Sequence, residues 1–259
     1  MAKLYVGFFL MHLKSQMQYK TAFFLTTLGN FLTSFTTLLG VWFIFDRFQV
    51  VEGFTFNEIL LCFAIMTMSF SLAELFARGF DTFPRILGNG EFDRVLVRPR
   101  NTIFLVLAAK TEFTRLGRLL QSLLVFVYVL PRCGVVWSPL KILTLVLMVS
   151  CGCLLFFGLF LVYASFAFFT VEGLEFMNIL TDGGREFGRY PFAIYGEEVL
   201  KFLTYIVPLA LVQYYPLLYL LDQSQRVVDM LAPVIALVFL LPCYQFFRFA
   251  LRRYRSTGS

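Results

Sequence analysis

Seven polar residues between positions 171 and 190 are the best placed in this 259-residue chain to do chemistry, because they recur every three or four positions, with Arg185 or Glu186 at one of the steps. They are Glu172, Glu175, Asn178, Asp182, Arg185, Glu186 and Arg189. This spacing puts them on one face of a helix, where Asp182 is placed to pair with Arg185. Glu186 and Arg189 are placed for a second ion pair. In apolar surroundings such a face indicates a solute path or an ion site, because an unpaired charge is costly in lipid.

A second polar stretch runs from Arg78 to Arg100, RGFDTFPRILGNGEFDRVLVRPR, between long apolar runs. Pro84, the sequence Gly88-Asn89-Gly90 and Pro99 divide it into short helical pieces joined by turns. Its charged residues are too many for a segment inside lipid. We therefore expect this stretch to stand in water, where it can contact a soluble partner.

Catalytic and cofactor-binding motifs are missing from the sequence. It contains no G-x-x-x-x-G-K-[ST] phosphate loop, no H-E-x-x-H or G-x-S-x-G motif, and a single histidine. We therefore expect a chain that is not an enzyme and binds no ATP, metal or other cofactor itself. A nucleic-acid partner is not expected either, because that function calls for a soluble fold with a basic surface.

The composition predicts an all-α polytopic membrane protein. Hydrophobic residues make up 59% of the chain and charged residues 15%, against about 45–50% and 25% in soluble domains. Several apolar runs reach the roughly 18–20 residues that cross a bilayer. We place spans at 21–45, 59–76, 113–131, 140–169 and 227–250, in one domain covering 1–259.

The amino-terminal segment 1–20 mixes apolar and polar positions at helical spacing, which favours a helix lying at the membrane interface. Positive charge sets the orientation, since Lys and Arg stay on the cytoplasmic side. Thirteen of them fall on the side of the amino terminus, the 78–100 stretch and the carboxyl-terminal tail, against six on the other side. Both termini are therefore expected in the cytoplasm.

The fifth span has two interpretations that periodicity leaves equal. Either 171–190 is a span lining a transport path, or it is an amphipathic surface helix and the fifth span lies at 199–220. Pro191, Pro208 and Pro216 interrupt any continuous helix over 191–225. That segment is either a re-entrant pair of short helices or a kinked span.

Four features in this order resemble an ABC-2 type transporter permease, and more narrowly a bacterial subgroup of this length known as ABC-2 family transporter proteins. They are LKSQMQYK near the amino terminus, LVRPR at the end of the polar stretch, GRYPFAIYGEEVLKFLTYIVPLALVQYYPLLYLL, and the closing FALRRYRS. Each motif is loose, and their order and spacing carry the likeness over nearly the whole chain.

The resemblance implies a six-span permease in the bacterial inner membrane that works as an exporter. It pairs with a second permease, identical or homologous, and with separate ATPase subunits that bind ATP and Mg. It also favours 171–190 as the fifth span and 191–225 as re-entrant helices on the outer side. In that family the loop after the second span carries a coupling helix, which falls on Arg78, Phe80, Asp81, Phe83, Pro84 and Arg85 here. The two aromatic residues with charged neighbours suit a pocket of the ATPase with a polar rim.

The acidic residues of 171–190 favour a cationic or amphipathic substrate. A secondary transporter or channel would instead use the same carboxylates as an ion site and need no ATPase. A membrane scaffold without transport would not depend on these polar residues at all. Dependence on a partner ATPase separates the first two alternatives.

Overall fold

The computed structural model describes residues 2–47, 50–51, 53–170 and 175–254. They are almost entirely helical, with one two-stranded hairpin. Glu172 of the predicted polar face and Arg255 of the basic tail lie outside the described residues.

Two long helices and a group of short ones form the first half of the chain. The helices are α1 (Ala2–Gln16), α2 (Lys20–Arg47), α3 (Phe56–Asp81), α4 (Phe83–Gly88), α5 (Phe92–Leu96), α6 (Thr102–Ala109) and α7 (Leu116–Val129). Short 3-10 turns at Met17–Tyr19 and Phe113–Arg115 precede α2 and α7. The antiparallel hairpin of β1 (Val50–Val51) and β2 (Phe54–Thr55) leads into α3, with Val51 opposite Phe54.

The second half begins with the 32-residue helix α8 and continues through short, angled pieces. They are α8 (Pro139–Thr170), α9 (Phe176–Leu180), α10 (Asp182–Phe187), α11 (Glu197–Tyr205), α12 (Leu209–Val212), α13 (Tyr214–Leu220), α14 (Val227–Ala236) and α15 (Leu240–Arg253). Two 3-10 turns, Phe192–Tyr195 and Leu237–Phe239, lie before α11 and between α14 and α15.

Four stretches of the described residues are long and apolar enough to cross a membrane. They are Lys3–Arg47, Phe56–Gly88, Pro139–Thr170 and Val227–Arg253. A fifth crossing is added if α11 and α12–α13, which meet at an angle of 84°, count as one broken span. The third predicted span, 113–131, corresponds to α7 and its preceding turn, and α7 alone rises about 21 Å against a hydrocarbon core of about 30 Å.

The first of these stretches is longer than a membrane is thick. At about 1.5 Å per residue its 45 residues extend roughly 68 Å, more than twice the hydrocarbon core. Part of it must therefore lie outside that core. Gln16 fixes the end of α1 to the segment just before α7, since its Nε2 donates to Thr111 O at 2.6 Å and its Oε1 accepts from Phe113 N at 3.1 Å.

α3 is the central helix of the bundle. It packs against α6, α7, α8 and α10, and almost all of its side chains from Ile59 to Phe80 are buried. Its start is fixed by a capping interaction in which Thr55 N donates to Glu58 Oε2 at 2.7 Å. One apolar core surrounds its first half and a second, rich in phenylalanine, surrounds its second half.

The helix predicted over 171–190 is interrupted within its described part, 175–190. Thr181, at φ −88° and ψ −77°, separates α9 from α10. The two glycines that follow weaken helix formation, and a Cβ on Gly184 would lie 2.8 Å from Leu209 Cδ1. Residues 176–187 rise about 18 Å, too little to cross the hydrocarbon core.

The three prolines of 191–225 mark helix starts. Pro191 and Pro208 are the residues just before the 3-10 turn Phe192–Tyr195 and α12, and Pro216 lies in the first turn of α13. Proline suits these positions because the first turn of a helix has no internal partner for its N–H groups. The result is a chain of short helices connected by sharp bends.

Candidate functional site

A buried carboxylate on α3 is the centre of the most concentrated group of charges in the described structure. Glu74 is 3% exposed, yet three guanidinium groups reach it. The nitrogen to oxygen distances are 3.3 Å from Arg78, 3.2 Å from Arg115 and 2.8 Å from Arg118. Arg78 also pairs with Asp81, one turn further along α3. We call these five residues the Glu74 network.

Local helix geometry explains how the network assembles. Glu74 and Arg78 are four residues apart on α3, and Arg115 and Arg118 are three residues apart at the start of α7, so each pair shares one helix face. Packing of α7 on α3 brings the two faces together. A buried carboxylate needs charged or hydrogen-bonding partners, and three arginines meet that need.

A second charged group lies on α10 and the turn that follows it. Arg185 Nη2 is 2.6 Å from Glu186 Oε1 and 3.4 Å from Asp182 Oδ1, and Arg189 donates to Glu186 Oε1 at 2.7 Å. The two i,i+3 ion pairs predicted from the sequence are thus present. Their guanidinium groups also cover aromatic rings of α3, Arg185 over Phe70 at 4.7 Å and Arg189 over Phe63 at 5.5 Å.

The two groups meet at a small cleft of about 50 Å³, which we call the polar cleft. All of the residues that line it are polar or charged, and they come from α2, α3, α7 and the α10 region. The lining residues are Thr33, Ser34, Thr37, Thr67, Arg118, Arg185, Glu186 and Arg189. Three guanidinium groups thus face one carboxylate.

Several buried polar atoms around this cleft lack a hydrogen-bond partner within the described part of the chain. They are Thr67 Oγ1, Arg185 Nε and Arg189 Nε. Thr67 is 2% exposed and Arg189 8% exposed. Buried donors and acceptors are almost always satisfied in native proteins, so atoms like these indicate a place for water or a ligand.

The remaining residues of the predicted polar face lie elsewhere. Glu175 and Asn178 are exposed, and the Asp182 side chain is 55% exposed. The face therefore divides at Thr181, and only its second part turns toward the bundle. Sequence reasoning missed Glu74, although it is the one charged residue of the apolar run 59–76 and an isolated charge there is a functional signal.

The residues predicted for ATPase coupling have a different arrangement from the one expected. Arg78, Phe80 and Asp81 belong to the last turn of α3, and α4 begins only at Phe83. The side chains of Phe80, Phe83 and Pro84 are buried, so the two aromatic residues are not available to enter a partner's pocket. Of the six predicted residues, Arg85 alone is exposed, and Arg78 and Asp81 are half-buried.

The ring of Phe83 packs into a buried aromatic cluster. The ring of Phe83 contacts those of Phe92 and Phe168, each at 5.1 Å between centroids, and Phe92 contacts Tyr254 at 5.1 Å. Phe168 contacts Phe247 at 5.6 Å, which joins the end of α8 to the middle of α15. We call these five residues the aromatic lock, because they hold α4 and α5 against the two long helices.

Tyr254 adds a polar bond to this lock. Its hydroxyl donates to Asp93 Oδ1 at 2.9 Å. Burial, followed by the hydrogen bond to Asp93, raises the pKa of Tyr254, so the hydroxyl stays protonated and remains a donor. The end of α15 is therefore fixed to α5 by ring contacts and by a charge-assisted hydrogen bond.

Nothing among the described residues groups three or more His, Cys, Asp or Glu side chains in a way that could hold a metal ion. The charged groups pair with each other, and an arrangement of this kind can bind or pass a polar solute. The family model for ABC-2 family transporter proteins matches residues 31–258.

This chain belongs to the ABC-2 transporter family. Together with its long apolar helices, membership shows a multi-pass membrane protein that serves as a transport permease and is not itself the catalytic subunit. ABC permeases in general associate with an ABC ATPase. A search of curated proteins and one of solved structures gave no significant match.

Proposed function

We propose that this chain is the membrane-spanning subunit of an ATP-driven exporter. ATP and Mg bind to separate ATPase subunits, and a second permease, identical or homologous, completes a dimer. The complex lies in a bacterial inner membrane with both termini in the cytoplasm. The observation that supports this most is the continuity of α3, which carries Glu74 in its buried part and runs almost directly into α4.

The path from α4 to the polar cleft is short and consists of packed contacts. Thr82 is the only residue between α3 and α4, so α4 cannot move without the end of α3. Glu74, two turns before that end, bonds Arg118 of α7, and Arg118 lines the cleft. A push on α4 therefore reaches the charged groups through one helix and one ion pair.

The aromatic lock provides a second route. Phe83 and Phe92 contact Phe168 at the end of α8, and α8 packs along α3. Tightly packed interiors transmit displacement because they have few voids to absorb it. We infer that ATPase closure moves α4 and α5 together with α3, α8 and α15, and that this rearrangement opens the cleft to the other side of the membrane.

The surface that meets the ATPase is the exposed side of α4 and α5 rather than the buried phenylalanines. Arg85, Asn89, Glu91 and Arg94 are exposed there. Their alternating charge suits a polar rim on a partner. The short helices α11–α13 then form the re-entrant segment on the outer side.

Export requires that the path hold its substrate better when it opens inward than when it opens outward. The ion pairs of Glu186 with Arg185 and Arg189 can supply that difference, because these guanidinium groups bind either Glu186 or a solute. The direction of transport then follows from whether the guanidinium groups bind Glu186 or the solute in each conformation.

The test is ATP hydrolysis by the purified complex with its candidate ATPase. Arg85→Glu reverses one exposed charge of α4, and Arg226→Glu makes the same change at an exposed position before α14. We expect the first variant to lower permease-stimulated hydrolysis severalfold and the second to leave it unchanged. Equal hydrolysis in both variants would contradict docking through α4, and absence of any co-purifying ATPase would contradict the exporter itself.

A further inference from the structure

We propose that the polar cleft binds the anionic head of an amphiphile, a phosphate or carboxylate, while an apolar groove beside it binds the hydrocarbon tail. The proposal rests on the exporter function above and names its substrate class. It replaces the cationic substrate favoured by the sequence, because the carboxylates on which that expectation depended are either exposed, paired with arginine or outside the described residues.

The charge of the cleft selects an anion. Arg118, Arg185 and Arg189 line it, against the single carboxylate of Glu186. Guanidinium groups present several N–H donors in a fixed plane that matches phosphate and carboxylate oxygens. The unpartnered Nε atoms of Arg185 and Arg189 are two such donors. Arg118 is paired with Glu74. Arg185 and Arg189 share the carboxylate of Glu186, so a cationic head would find only a carboxylate that two arginines already hold.

The hydroxyl of Thr67 is a second, independent sign of a ligand. This residue is 2% exposed, lines the cleft, and its Oγ1 has no partner among the described residues. A phosphate or carboxylate oxygen would accept a hydrogen bond from it. The cleft measures about 50 Å³, so the head group enters as Glu186 moves aside.

The carboxylate of Glu186 lies where the anionic head of a ligand would bind. It bonds both Arg185 and Arg189, and the Glu186 side chain is 43% exposed, so it can turn outward. An incoming anion exchanges places with it on the two guanidinium groups. Both guanidinium groups then face an anion in either state, and the displaced Glu186 carboxylate, on a side chain that is already partly exposed, meets solvent, which keeps the cost of exchange low.

The apolar groove lies next to the cleft, between α2 and α7. It has a volume of about 350 Å³, within the roughly 300–1,000 Å³ typical of ligand pockets. Phe31, Phe35 and Trp42 of α2 and Leu124 of α7 contribute to its apolar lining. α2 and α7 approach closely because Gly117 has no side chain, and a Cβ there would lie 2.1 Å from Thr27 O.

One hydrogen bond joins the two compartments. Ser34 lines the cleft and donates through Oγ to Gln121 Oε1 at 2.9 Å, and Gln121 lines the groove. Gln121 Nε2 is buried and has no partner in the described structure. A molecule with its head at Arg189 and its tail along Phe35 would pass this amide, which is free to donate to an oxygen near the head.

The test uses Trp42 as a reporter. The chain has two tryptophans, so Trp137→Phe leaves Trp42, in the groove, as the sole emitter. The permease is purified without ATPase in dodecyl maltoside and titrated with a brominated alkyl phosphate, its trimethylammonium counterpart, or inorganic phosphate. We expect saturable quenching by the alkyl phosphate alone, and displacement of the alkyl phosphate only by high concentrations of inorganic phosphate.

Two variants test whether the ligand replaces Glu186 as the partner of the arginines. Arg189→Gln should weaken alkyl phosphate binding about tenfold, since it removes one hydrogen bond between charged groups. Glu186→Gln should strengthen it severalfold, and a gain of binding cannot come from poor folding. Glu197→Gln, the same change at a residue whose side chain is 78% exposed, is the matched control and should have no effect.

Equal quenching by the cationic probe, or unchanged binding in Glu186→Gln, would overturn the proposal. The measurement needs no ATP, so its failure leaves the exporter function standing. If the permease binds the alkyl phosphate but the complex shows no ATP-dependent transport, the binding site is supported and the exporter function is rejected.

Discussion

Tyr254, at the end of α15, donates a hydrogen bond of 2.9 Å to Asp93 of α5, a residue 161 positions earlier in the chain. Its ring also contacts Phe92 at 5.1 Å and Phe168 at 5.7 Å. The carboxyl-terminal helix is therefore part of the structure that holds the polar stretch in place. This contact gives the first prediction.

Tyr254→Phe keeps the ring and removes the hydroxyl. We expect α5 to open more readily, by about 1 kcal/mol, because that is the net contribution of a typical hydrogen bond. Amide hydrogen exchange over Phe92–Leu96 should then be about fivefold faster than in the wild type. Tyr244→Phe, on the exposed side of α15, is the control. Unchanged exchange in Tyr254→Phe would show that the rings alone hold the loop.

Phe83→Ala tests whether this ring belongs to the core or to a docking surface. Its side chain is fully buried in the aromatic lock, so truncation should cost about 3–5 kcal/mol of stability. Thermal unfolding in detergent measures the loss. Arg85→Ala, two residues on and exposed, should change stability by less than about 0.5 kcal/mol. A stable Phe83→Ala variant that fails to bind ATPase would restore the docking role predicted from the sequence.

Glu74→Gln should destabilise the bundle by about 3–5 kcal/mol, because it removes the buried counter-charge of three partly buried arginines. The double variant Glu74→Gln with Arg118→Gln should cost less than the sum of the two single changes, since both partners of one ion pair are removed. Thermal unfolding of the four proteins gives the coupling. Strict additivity would mean that the 2.8 Å pair contributes nothing of its own.

Gly117→Ala should weaken the contact between α2 and α7, since the new Cβ would lie 2.1 Å from Thr27 O. Overpacking of this kind costs about 1–3 kcal/mol. Gly40→Ala on α2 places the same methyl group in open space and should leave the unfolding temperature unchanged or raise it slightly, because alanine favours a helix interior. If both variants unfold at the same temperature, α2 does not pack on α7 in the way described.

Sequence reasoning works for the long apolar helices because hydropathy and length are local properties. The run 21–45 falls inside α2 and 140–169 inside α8. The i,i+3 pair of Glu186 with Arg189 was predictable for the same reason, since one helical turn brings the two residues together.

Contacts between segments that are distant in the chain could not be predicted from the sequence. Glu74 meets Arg118 across 44 positions, and nothing in the spacing of either helix specifies that meeting. The burial of Phe83 depends on Phe168 and Phe247, so an aromatic residue in a polar stretch was mistaken for a surface residue. The break at Thr181 was missed because hydrophobic periodicity continues through it, although the two glycines that follow were a signal.

Transport by the reconstituted complex tests the central claim most directly. Vesicles containing the permease and its candidate ATPase would be supplied with ATP and a panel of labelled anionic, cationic and neutral amphiphiles. We expect transport that requires ATP, stops with an ATPase unable to hydrolyse it, and falls severalfold in Arg85→Glu but not in Arg226→Glu. Flux driven by a proton or sodium gradient without any ATPase would contradict the exporter and make the buried carboxylates the ion site of a secondary transporter.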